Sequence, residues 1–230
     1  MKHKSTALWL YGSHARGDAD FQSDFDVFAV TDSAITNQEV ASIIRSNPPL
    51  LKVSRYSWSE IEGMASYGSL FLHHIRLEGK CLFEGCASAG RLKAILDALG
   101  PYKRAQLDAA AFRTTVQDVR ASLERGGSIP FELSVLSTVL RHSAILGCYV
   151  SGSPTFGRFR PVQRIVGLWG LDQGIASLFA DLYRHRLWTD QRAEEPSEVS
   201  LDTAYHWCDR IDTMLEKLEE QTNEYERRVS

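Results

Sequence analysis

Asp24 and Asp26, two acids separated by one residue, follow the pair Gly12–Ser13, with ten residues between Ser13 and Asp24. The stretch YGSHARGDADFQSDFDVFAV follows the apolar run ALWL and closes on the apolar VFAV, so two expected strands are joined by a polar connection punctuated by glycine. Residues two apart in a strand point to one face, which sets the two carboxylates side by side. Adjacent carboxylates repel unless a cation lies between them. Magnesium meets that need, because it takes hard oxygen ligands, commonly one or two carboxylates with substrate phosphates completing the shell. Gly12 ends the first strand at a sharp turn, and Ser13 begins a short helical turn, SHAR, stopped by Gly17. Exposed N–H groups at such a start, together with the Ser13 hydroxyl, make an anion cradle that sets phosphates between itself and the metal. Arg16, one turn after Ser13, is in reach of a phosphate.

A Gly-Ser pair, ten residues and then Asp-x-Asp, flanked by strands, resembles the signature of the DNA polymerase β nucleotidyltransferase superfamily. The resemblance covers residues 5 to 86 or so, and the helical remainder is similar to the accessory domain of such enzymes in class and order. It implies transfer of a nucleoside monophosphate, most commonly AMP from ATP, to a hydroxyl, with pyrophosphate leaving and two Mg2+ ions taking part. Asp24 and Asp26 would then be the catalytic metal ligands, and Gly12, Ser13 and Arg16 nucleotide-binding residues. Such a reaction asks a protein for positioning and charge neutralisation more than for a nucleophile. The acceptors left open are a partner protein, a tRNA end or a small hydroxylated molecule such as an antibiotic.

Members of the superfamily usually carry a third carboxylate on a later strand. The strand expected here reads LLKVSRY and presents Lys52 and Ser54 at the inward positions. The nearest acids are Glu60, Glu62 and Glu78; Glu78, four residues after His74 and on one helix face with it, is the candidate for a third catalytic acid. Two readings follow. In one, the chain is an enzyme in which a substituted base or a metal-bound hydroxide deprotonates the acceptor, since general-base help is typically worth about 10²–10⁴-fold and its absence slows the reaction without forbidding it. In the other, it is a catalytically weakened nucleotide-binding regulatory or toxin–antitoxin-type module.

The elements that must position these residues belong to an expected α+β fold: a head with a mixed sheet over residues 1–86, then an all-α helical bundle over 87–230. Thr36 with Glu39 and Ser57 with Glu60 have capping-box spacing, and one helical stretch is expected from Ser59 through Glu78. After Gly85 the strand signals stop. Val116, Val119 and Leu123, then Ile175, Leu178 and Leu182, then Ala204, Ile211, Leu215 and Leu218 repeat at helical spacing, and FELSVLSTVLRHSAILGCYV, apolar on most sides, reads as a central bundle helix. In the loop FGRFRPVQR, Phe156 and Phe159 alternate with Arg158, Arg160 and Arg164; Arg158 and Arg160 are candidate nucleotide-binding residues, because guanidinium pairs with phosphate and aromatic rings stack on bases.

A formal charge of -3 over 230 residues gives no overall basic field, which argues against generic DNA binding. Cys81, Cys86, Cys148 and Cys208 have neither zinc-site spacing nor the density of a disulfide scaffold. The N-terminal apolar run is too short for a signal-peptide core, and no uninterrupted apolar run suggests a bilayer crossing. A cytoplasmic protein without a membrane partner is the expectation.

Overall fold

The computed structural model describes residues 3–21 and 23–229. The chain divides into two compact units, residues 1–103 and 104–230.

The first unit is built on a mixed four-stranded sheet of order β3-β2-β1-β4. Strand β1 (Ala7–Tyr11) runs antiparallel to β2 (Phe25–Val30) and to β4 (Lys80–Glu84), while β2 runs parallel to β3 (Leu51–Tyr56). A parallel neighbour needs a crossover. Helix α2 (Asn37–Ile44) supplies it, started by a complete capping box in which Thr36 and Glu39 each bond the other's backbone N–H. Alternation decides the layers: Leu8, Val27 and Ala29 pack with Ile35 and Val40 on the α2 side. Ala7, Phe28 and Val30 face the other way, toward Trp58, Ile61, Leu72 and Ile75.

Those four belong to α3 (Trp58–Ser66), opened by the Ser57–Glu60 capping box, and α4 (Leu70–Glu78). The single helix expected across this stretch is therefore two. Gly68, at φ +67, breaks it, and a Cβ there would stand 2.2 Å from the Pro101 carbonyl oxygen. The expected boundary at residue 86 also differs from the division at 103. Helix α5 (Arg91–Asp97) places Leu92 and Leu96 in the same core as Leu72 and Ile75, so this segment belongs to the head by packing, although it carries no strand signal.

The second unit is helical: α6 (Ala105–Glu124), α7 (Ile129–Val150), α8 (Arg160–Trp169), α9 (Gly174–Thr189) and α10 (Leu201–Val229). Helix α7 touches the other four, which explains why it is apolar nearly all round. By length and composition it would also be long enough to cross a membrane, unlike the sequence-based expectation, but two thirds of its apolar stretch (67%) is buried. Its one early acid, Glu132, is buried and accepts a hydrogen bond from the Ser122 hydroxyl at 2.6 Å.

Candidate active site

The turn after β1 brings the Gly-Ser pair against the acid pair. Gly12 opens the one-turn helix α1 (Gly12–Arg16) at φ +74, and a Cβ on it would lie 2.7 Å from Oδ2 of Asp26. A side chain there would displace that carboxylate oxygen, and a glycine takes that backbone angle without strain. The Ser13 carbonyl accepts from the N–H of Gly17 at 2.9 Å and of Asp18 at 3.1 Å, which closes α1. Before β2 the chain is pinned once more: the buried Ser23 hydroxyl accepts from Asp20 N–H at 2.9 Å and donates to Asp20 Oδ1 at 2.7 Å. Asp24 follows directly.

Asp26 sits opposite Tyr11 across the antiparallel ladder and opposite Lys52 across the parallel one. Burial and then the neighbouring charge of Asp24 push its pKa above the ordinary carboxylate value, against the fields of Lys52, His74 and His14. Tyr11, omitted from the residues chosen by sequence, forms one wall. Its hydroxyl hydrogen-bonds with Ser54 Oγ at 3.0 Å, burial pushes its pKa up, and its ring meets those of Phe71 and His74 edge-on. The signal that marks it is its position, an aromatic hydroxyl closing the strand just before Gly12.

Glu78, the candidate third acid, is held by two partners. Its Oε2 accepts from Arg16 Nη1 at 2.7 Å and pairs with His74 Nε2 at 2.8 Å, at the expected four-residue spacing. Burial works against the charge on Glu78, but His74 and Arg16 outweigh it and hold the pKa below the ordinary value. Arg16 also bonds Asp18 at 3.2 Å, so it is anchored between two acids. Among the described residues no group of three or more His, Cys, Asp and Glu is placed to hold a metal ion. The hard oxygen donors expected here from sequence are the two aspartates, Asp24 and Asp26. They fit magnesium, being hard oxygen donors of the number that ion takes when phosphates complete its shell.

Arg158 and Arg160 lie in the second unit. Arg158 stacks over the Tyr183 ring at 5.3 Å, Arg160 opens α8 one residue ahead of the expected Pro161, and Arg164 Nε donates to Ser153 Oγ at 3.0 Å. Phe156 is buried, and Phe159 packs edge-on to Phe179 and Tyr183, each at 5.4 Å. The aromatic half of this loop is thus used in packing.

The mixed sheet, the Gly-Ser turn and the approach of Gly12 to Asp26 can be set beside known proteins. Residues 1–53 match the family described as a nucleotidyltransferase domain, and Gly12, Ser13, Arg16, Asp24 and Asp26 all fall within the match. No curated protein matches the chain. Among solved structures, a nucleotidyltransferase-like protein from Exiguobacterium sibiricum aligns over 97% of this chain and 72% of its own, with 16% identity and a TM-score of 0.41, too distant to fix any residue's role. The domain match supports transfer of a nucleoside monophosphate as the general chemistry of the head.

Proposed function

We propose that the protein transfers AMP from ATP to a hydroxyl acceptor in the cytoplasm, with Mg2+ held by Asp24 and Asp26. One observation carries this reading: the Asp26 carboxylate occupies the space that a side chain on Gly12 would fill, so the turn that would cradle phosphate and the acids that would hold metal are one site. Bound magnesium would supply charge neutralisation on the triphosphate and polarise the phosphorus under attack. Ser13 and the backbone around it orient the phosphates. The acceptor oxygen bonds to the α-phosphorus, the bond to pyrophosphate breaks, and the hydroxyl proton passes to solvent, since β3 offers Lys52 and Ser54 rather than an acid. Glu78, paired with Arg16 and His74, acts as a brace that sets the angle of α1.

That same engagement of Glu78, with Lys52 beside Asp26, favours a second reading as a nucleotide-binding regulatory module. Incubation with α-labelled ATP and Mg2+ across protein, RNA and small hydroxylated acceptors separates the two. Pyrophosphate with a labelled acceptor supports transfer; ATP binding without pyrophosphate from any acceptor supports the regulatory role.

A further inference from the structure

Sheet order divides the site into two sides. The Gly12–Ser13 turn stands at the end of β1, the aspartates at the start of β2 and Lys52 on the edge strand β3. Tyr11, Asp26 and Lys52 are register partners in one row, so their side chains emerge on one face. With the triphosphate against the Gly12–Ser13 turn, the β3 side offers the second reactant a way to the acids, because the register partner of Asp26 there is exposed. Lys52 is exposed there, and its ammonium reaches Asp26 through its field. The next polar group on that face of β3, Ser54, is engaged by the Tyr11 hydroxyl. Arg55 donates to the Ile35 carbonyl and to Asn37, residues on the α2 side of the sheet.

An ammonium at this place draws in an anion and repels a polycation. We infer that Lys52 selects the acceptor, and that the acceptor is a hydroxyl compound carrying a phosphate close to the reacting hydroxyl; this rests on the transfer reading above. A single-stranded RNA end and a small sugar phosphate share that chemistry. Both oppose a polycationic amino sugar.

The test is equilibrium binding by wild type, Lys52→Gln and Lys52→Glu, with four probes: a non-hydrolysable ATP analogue with Mg2+, then, in its presence, a short oligoribonucleotide, a sugar phosphate and a polycationic amino sugar. One phosphate-bearing probe should bind the wild type and weaken about tenfold in Lys52→Gln and further in Lys52→Glu, as for loss and reversal of a facing charge. Which one responds identifies the source. The ATP analogue should change less than about threefold, and the Mg2+ needed for half-saturation should fall, because a competing cation has left the side of Asp26. The inference is overturned if neither phosphate probe binds the wild type, if the amino sugar binds better than both, if Lys52→Glu leaves both unchanged, or if the ATP analogue weakens as much as they do. Failure of the transfer reading looks different: wild type would bind analogue and phosphate probe with the Lys52 dependence intact, yet release no pyrophosphate from ATP.

Discussion

The two units handle charge in opposite ways. In the head, Asp26 is part-buried within the field of Asp24, and burial and then that like charge push it above the ordinary carboxylate value. In the helical unit, charges pair off along α6 and α10: Arg113 with Glu219 at 2.5 Å, and Arg120 with Asp209 at 2.7 Å and Asp212 at 2.8 Å. Compensated surface pairs fasten helices and ask for nothing more. Like charges brought together at a cost to the fold mark a place completed by a ligand, and pKa displacement of this kind clusters at working sites.

The contrast breaks most easily at the aspartates. Asp26→Ala should lower transfer at least about a thousandfold, the loss of about 4 kcal/mol of charge stabilisation at the phosphates, yet keep or raise the melting temperature in metal-free buffer. A stability loss matching the activity loss would make Asp26 a structural residue. Gly12→Ala comes next. The new Cβ displaces the Asp26 carboxylate and adds about 1–2 kcal/mol of backbone strain, so transfer should fall about a hundredfold while the urea midpoint drops modestly.

Glu78→Gln sharpens the comparison within the head, since it removes a compensated acid. We expect a loss of about 1.5–3 kcal/mol at neutral pH, the usual value of hydrogen bonds to charged groups. The folded-state pKa of Glu78 is lowered, so its contribution is full above the ordinary glutamate value and is lost as pH falls through the folded value. The gap between wild type and Glu78→Gln in thermal melts should therefore close on acidification, and a gap independent of pH would count against the ion pair. Arg113→Ala in the helical unit should cost no more than about 1 kcal/mol, and less in high salt, as exposed pairs do. If it costs as much as Glu78→Gln, the two units do not differ as described.

What could be read from sequence follows from how local each cause is. Gly12, Ser13, Asp24 and Asp26 lie within fifteen residues, a pattern readable at once, although the strand expected to carry both acids begins at Phe25, one residue after Asp24. The capping boxes and the central α7 were legible for the same reason, each being a pattern within one element. The break at Gly68 was not, because the backbone that crowds it belongs to Gly100 and Pro101, far along the chain. Likewise Arg16 and Glu78 are 62 residues apart, and no spacing announces their pairing. Lys52 was visible as a missing acid; that it stands in the row of Asp26 required the parallel register.

The four thiols divide as unevenly as the charges. Cys81 and Cys86, in the head, are exposed, while Cys148 and Cys208, in the helical unit, are buried, with burial pushing both up to about 11. The exposed head thiols meet an alkylating reagent directly, while the buried helical ones wait for the bundle to open. The protein therefore carries its own clock for each unit. The slow phase of alkylation times the opening of the helices, and the fast phase reports the head.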